Sequence, residues 1–362
     1  MNRPLAIQPI QHQAAWNSAG IVGIKRQWIH YVSPAQLEEL EHALAMLRQS
    51  GKPILDILPS EFPIPSFSRT LHRASISCER GPGIYLIRGL PVDRKSEHEV
   101  RLLAWGIGLH LGVPLMQDPA ANLITDIRDQ SANNASSLRI GSTNQAMEFH
   151  VDSCDLATVL CRRTALTGGL SRIASTMAIH NRLALERSQW LPLLYQPMPF
   201  IVPASQPKCQ PAHFMCPVFA VENNVFASRF YRQRTLACVD LPDTPRQSKQ
   251  LNAALDAFHD LACAPEMYLE IDLQPGDLLL MNNHVVCHAR TAFIDDPRAD
   301  YKRHLLRQWL ATPHSRPLPS SFLAAYGRVD GATIRGGYQT WHPHPHVLAF
   351  QARLGRYLGM PG

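Results

Sequence analysis

Two short stretches, far apart in the chain, constrain its fold more than any other feature. His150-Val151-Asp152 sets a carboxylate two residues after a histidine, and His288 lies far downstream in Asn282-Asn283-His284-Val285-Val286-Cys287-His288-Ala289-Arg290-Thr291. Two histidines and one carboxylate are the protein ligands of a facial triad, which grips Fe(II) on one side and leaves positions open for other ligands and dioxygen. Bringing the three groups together requires both stretches on rigid, adjacent elements. Read as a strand, Met147 to Asp152 puts Glu148, His150 and Asp152 on one face, with Met147, Phe149 and Val151 on the other. The distal stretch follows a Pro275-Gly276 turn and the apolar run Asp277-Leu278-Leu279-Leu280-Met281. There His284, His288 and Arg290 share a face by alternation, so periodicity leaves both histidines open.

The remaining signals predict mixed α and β structure in the first third and strands and turns beyond Arg139. Ser33-Pro34 with Gln36 forms a capping box ahead of Leu37, Leu40, Leu44 and Leu47, and Gly51 and Pro53 end that helix. Ile84 to Ile87 reads as a buried strand, and Ser96 with Glu99 caps a helix running to Leu109. Further helices are expected from about Ser175 to Arg187 and from Ser248 to Ala262. Prolines crowd the segment from Pro192 to Pro217, which is expected to be extended or looped. Leu269 to Leu273 alternates as a strand. Strand signals this close around the two motifs lead to the expectation of a mainly β fold with flanking helices and a mixed α/β N-terminal region. No linker divides the chain, which reads as a single catalytic domain over 1–362. Its parts are an N-terminal helical extension at 1–83, a core at 84–310 and a C-terminal extension at 311–362.

With 362 residues, 45% of them hydrophobic, the chain can bury one large core, and no stretch is long and apolar enough to span a membrane. The start, Met1-Asn2-Arg3-Pro4-Leu5, has no apolar secretory segment, and a cytoplasmic location is expected. The eight cysteines form neither CxxC pairs nor a dense framework, so free thiols are expected, with Cys154 and Cys161 packed in the core. Net charge is +6, yet no basic block is interleaved with aromatics. That balance favours a small anionic substrate over nucleic acid. Arg303 and Arg307 stand four residues apart, and a guanidinium fork suits a carboxylate gripped by two parallel hydrogen bonds.

From Met147 to Leu310 the sequence resembles the taurine dioxygenase and 2,4-dichlorophenoxyacetate dioxygenase family of Fe(II)- and 2-oxoglutarate-dependent enzymes, with likeness extending over roughly Ile84 to Leu310. The carriers are the His-x-Asp, a following Thr167-Gly168-Gly169 turn, and a distal Asn282-Asn283 stretch ahead of the third histidine. The resemblance implies a double-stranded β-helix core of the jelly-roll or cupin type. It also implies Fe(II) ligands at His150, Asp152 and His288, with His284 at a non-ligand position. It assigns Ser171 to the family threonine that bonds 2-oxoglutarate, and Arg303 to the distal carboxylate of that cosubstrate. Arg307 falls where some members contact an anionic substrate group or the 1-carboxylate side of the cosubstrate. Asn144, Gln145 and Arg139 border the substrate. The implied reaction consumes dioxygen and 2-oxoglutarate, releases succinate and carbon dioxide, and oxidises an unactivated C–H bond of a small carboxylate-bearing or amino-acid-like molecule. Retention of Asp152, which related halogenases lack, points to hydroxylation, desaturation or ring formation. The alternative is a 2-oxoglutarate-independent non-haem iron oxygenase or metallohydrolase on the same ligands, and Arg303 separates the two. A homo-oligomer is compatible with all of this.

Two further features carry weaker chemistry. In Trp341-His342-Pro343-His344-Pro345-His346 the prolines predict an extended chain, and the histidines are expected to be structural or adventitious metal binders. Gly331 to Tyr338 lacks the spacing of a nucleotide loop and is expected near the mouth of the site, with Arg335 facing an anionic substrate.

Overall fold

The computed structural model describes residues 8–131, 140–202, 212–239, 241, 244–245, 247–298, 301–338 and 344–361. Two sheets carry the site. The larger runs in the order Ile29–Tyr31, Ile84–Arg88, Leu278–Asn282, Leu156–Arg163, His304–Ala311 and Val113–Pro114, with Thr125–Ile127 also paired to His304–Ala311. Its first pair is parallel, Ile29 opposite Leu86, and the other pairs are antiparallel. The smaller sheet is antiparallel, in the order Tyr268–Ile271, Ser171–Ser175, Val286–Arg290 and Met147–His150.

The larger sheet is apolar on both faces. Leu278, Leu279, Leu280 and Met281 are all buried, and so is every residue from Leu156 to Cys161. A strand buried on both sides needs a layer on each. Pro65–Arg80 and Glu97–Leu111 pack against this sheet, while Thr176–Glu186 and Lys249–Cys263 pack against the smaller one.

This arrangement corrects the expectation of a mainly β, double-stranded β-helix fold. Helix (38%) exceeds strand (22%), and no closed barrel forms among the described residues, so the fold is mixed α/β. Of the helices with no counterpart in the sequence reading, two are longer than three turns. Pro65–Arg80 starts with proline in its first turn and buries Phe67, Leu71, Ala74 and Cys78 at helical spacing. Pro345–Tyr357 also begins at a proline, so Pro345 opens a helix rather than extending the chain. His342 lies outside the described residues.

The capped helices form where their caps predicted. Pro34–Ser50 has the reciprocal Ser33 and Gln36 bonds and ends at Gly51 with φ +60. Glu97–Leu111 has the Ser96 and Glu99 box. Ser175 and Ser248 each accept a backbone N–H in the first turn of the helix that follows. The proline-rich segment contributes an antiparallel pair, Met198–Ile201 with His213–Cys216. Among the described residues no helix is long and apolar enough to cross a membrane.

Candidate metal centre

Antiparallel pairing sets His288 directly opposite His150, with ring centroids 4.4 Å apart. Asp152 follows the Met147–His150 strand rather than belonging to it, and Asn283 Oδ1 accepts its backbone N–H at 2.9 Å. A register shift between His288 and Arg290 breaks the alternation expected of this strand, so Met147 and His150 line the same cavity. His150 Nε2 and His288 Nε2 each lie 3.7 Å from an oxygen of Asp152. The three ligand atoms all lie within 4.8 Å of one another, and the 3.7 Å separations from Asp152 fall inside the roughly 4 Å that two donors about 2 Å from one ion can span. His150 Nδ1 bonds the Glu148 carbonyl at 2.9 Å, which directs the proton to Nδ1 and leaves the Nε2 lone pair to a metal. The donor set therefore fits an Fe(II) centre.

Asp152 is 5% exposed. Burial raises its pKa, but the Arg307 guanidinium and the two imidazoles outweigh that and hold it down at about 2. Arg307 Nη1 donates to it at 3.2 Å and Trp309 Nε1 at 2.8 Å. Burial pushes His288 down to about 3, and it lowers His150 as well. Both imidazoles are neutral at pH 7, the state that binds a metal.

His284 goes elsewhere. Fully buried in the turn before Val286–Arg290, it bonds Asp155 through Nε2 at 2.8 Å. Arg335 is 2% exposed and donates from Nε to the same Asp155 oxygen at 2.9 Å, which removes it from the substrate-facing position expected of it.

The cavity beside the triad is lined by His150, Ser171, His288, Arg290, Arg303 and Arg307 together with apolar side chains such as Leu279 and Met281. Arg303 is 4% exposed and Arg290 is 7% exposed. Burial pulls both guanidiniums down to about 10, and Arg290 adds to the effect at Arg303. Gly169, at φ +74, is required behind Arg303, because a Cβ there would stand 2.8 Å from Nε. Asn144 and Gln145 are exposed in the segment entering Met147–His150, and Arg139 lies outside the described residues. Arg290, Trp309 and Asn283 were missed as site residues by the sequence reading. Arg290 alone had a signal, since it follows His288 by two residues on a strand.

A second cluster, Glu97, Asp126 and His304, also has metal-ligating side chains. Arginines already neutralise it: Arg101 donates to both Asp126 oxygens at 2.7 Å, and Arg128 and Arg162 lie 3.2 and 3.8 Å from Glu97. It is an ion-pair network that pins Thr125–Ile127 to His304–Ala311.

Comparison with known proteins decides the family. The model of the taurine catabolism dioxygenase TauD, TfdA family matches residues 50–309, more than half of the chain. The chain belongs to this family. It is thus an enzyme of the dioxygenase class, and Fe(II) and 2-oxoglutarate are its cofactors. FR-33289 synthase of Streptomyces rubellomurinus (strain ATCC 31215) is 26% identical over 318 residues, 87% of this chain and 94% of that protein. The taurine hydroxylase-like protein SAT17 of Stachybotrys chartarum (strain CBS 109288 / IBT 7711) is 24% identical over 315 residues, covering 82% and 78%. Among solved structures, asparagine oxygenase superposes with a TM-score of 0.60 at 21% identity, over 79% of this chain and 93% of that one. The non-haem iron oxygenase OrfP, in complex with Fe and α-ketoglutaric acid, gives 0.59 at 18% identity, over 78% and 93%. These structural likenesses concern the fold.

Proposed function

We propose that the enzyme hydroxylates an unactivated C–H bond of a small, carboxylate-bearing or amino-acid-like substrate, with Fe(II) held by His150, Asp152 and His288. The observation that carries this reading is the convergence of these three groups at a cavity that also contains Ser171, Arg303 and Arg307. Dioxygen is the oxidant: bound Fe(II) would activate it, and 2-oxoglutarate would supply two of the electrons and leave as succinate and carbon dioxide. The protein's residues bind and orient. Asp152 stays ionised against Arg307 and Trp309, and the imidazoles stay neutral. Arg303 and Ser171 hold the distal carboxylate, while Val159, Leu279, Met281 and Leu305 exclude water from that end of the cavity. Arg307 takes the 1-carboxylate side or an anionic substrate group, and Asn144 and Gln145 border the substrate.

An amino-acid-like substrate is favoured by two solved relatives, one in complex with 3-hydroxyasparagine and one with a hydroxylated L-arginine. Seven described cysteines are free thiols, in keeping with a reducing, cytoplasmic setting for one catalytic domain spanning 1–362. The test is succinate release from purified enzyme. Release should require Fe(II), 2-oxoglutarate and oxygen together and should rise with a small amino-acid-like substrate. Turnover of any substrate without 2-oxoglutarate would favour the cosubstrate-independent alternative.

A further inference from the structure

Arg290 lies directly opposite Ser171 in the smaller sheet, two residues beyond His288. Opposed residues of an antiparallel pair project to one face with Cβ atoms about 4.5–5.5 Å apart, and two residues along a strand advance about 6.8 Å. The Arg290 and Ser171 row therefore stands about 7 Å along the cavity from the His288 and His150 row. That offset is comparable to the length of a five-carbon dicarboxylate, which has four carbon–carbon bonds of about 1.5 Å each. Arg303 closes the same end, and both guanidiniums lie 4.9 Å from the ring centroid of Phe293.

Among the described residues neither guanidinium has a carboxylate within ion-pair distance, although the charges of Asp129 and Asp295 act on Arg290 and Arg303 and Arg303 Nη2 donates to the Gly169 carbonyl at 3.4 Å. Nε and Nη1 of Arg290 and Nη1 of Arg303 have no hydrogen-bond partner among the described residues. Asp295 Oδ1 accepts the backbone N–H of Arg303, not its guanidinium. The one bonded nitrogen of Arg290, Nη2, donates to the carbonyls of Thr143, at 2.8 Å, and Gln145. Those carbonyls belong to the segment that enters the His150 strand. Arg290 thus has one nitrogen tied to a loop and two unpaired nitrogens buried at the cavity.

We propose that Arg290 is a second cationic clamp on the distal carboxylate of the 2-oxo acid, acting with Arg303 and Ser171, and that its Nη2 ties occupancy of that site to the 143–145 segment. The inference rests on the Fe(II) and 2-oxoglutarate reading above and extends it to a residue without an assigned role. Two buried guanidiniums favour a dicarboxylic 2-oxo acid over its monocarboxylic analogue, because only the former places a charged acceptor between them.

The test is anaerobic titration calorimetry of the Mn(II)-loaded protein with 2-oxoglutarate and with 2-oxopentanoate, which has the same carbon chain but no distal carboxylate. Arg290→Gln should weaken 2-oxoglutarate about 10- to 100-fold, the loss expected for a charged hydrogen bond, and leave 2-oxopentanoate within about twofold. Hydrogen exchange in the 143–147 backbone should slow when 2-oxoglutarate binds the wild type and respond less in the variant. Unchanged 2-oxoglutarate affinity, or equal weakening for both acids, overturns the proposal and leaves Arg290 as a loop anchor. If Arg290→Gln does not fold, Arg290→Lys carries the test: a several-fold loss for 2-oxoglutarate alone supports the clamp, and no loss overturns it. Wild-type protein that binds neither acid overturns the cosubstrate reading and the clamp with it.

Discussion

The chain builds two clusters from the same three residue types. In one, Asp155 is bonded directly by His284 at 2.8 Å and Arg335 at 2.9 Å, sealed from solvent. In the other, Asp152 has Arg307 at 3.2 Å, but His150 and His288 stop at 3.7 Å, beyond hydrogen-bond range and facing a cavity. In the first cluster the carboxylate is met directly by its partners, and the cluster holds the turn that joins two strands. The second keeps a gap between donors, which a cation fills. Charge composition alone does not distinguish a structural cluster from a catalytic one; the spacing between donors does.

The largest expected contrast comes from removing each carboxylate in turn. Asp155→Ala leaves His284 and Arg335 buried without their acid and should cost about 3–5 kcal/mol, read as a lowered urea midpoint. Asp152→Ala should fold and lose more than about 100-fold in iron affinity and turnover, since even residues that only support ligands cost 10- to 100-fold. Comparable stability losses in both variants, with iron binding kept by Asp152→Ala, would erase the distinction.

A smaller contrast lies in pH. Burial holds His284 at about 4 and His288 at about 3, both below the ordinary value of 6.5. The unfolded chain therefore binds these protons more readily than the folded one, so stability is full above pH 6.5 and falls as pH drops toward 3. Asp152, held at about 2, adds a loss in the same direction at lower pH, as its carboxylate protonates. Thermal melts of the metal-free protein from pH 7 to pH 5 should show a falling midpoint, and His284→Gln should flatten the slope; a flat wild-type profile contradicts buried neutral imidazoles.

The smallest effect concerns the link between the clusters. Asn283 accepts the Asp152 N–H and donates to Cys154 Sγ at 3.2 Å. Asn283→Ala should cost about 1–3 kcal/mol of stability and weaken Mn(II) binding by less than the Asp152 variant does. Metal titration of the two proteins side by side ranks them.

Legibility in the sequence tracked how local each signal was. The Ser33, Ser96, Ser175 and Ser248 caps were readable because a helix start is decided by bonds spanning three residues. The Pro65–Arg80 helix had its proline and its apolar spacing in view and was still missed. The fold class was misjudged as mainly β because strand signals crowd the motifs. The run Leu278 to Met281, apolar on both faces, already demanded covering layers, and helices provide them. The Met147 exception to alternation was invisible, since a register shift depends on the partner strand.

The sequence by itself determined the chemical inventory: a His-x-Asp, a distal pair of histidines, a Gly-Gly turn and two spaced arginines, each written in consecutive residues. Tertiary structure decided which histidine faces Asp152, that Arg335 is sealed against Asp155, and that Arg290 joins Ser171 at the far end of the cavity. Those outcomes depend on strand register and on distances of a few ångströms between segments more than a hundred residues apart in the chain, and no local pattern encodes them.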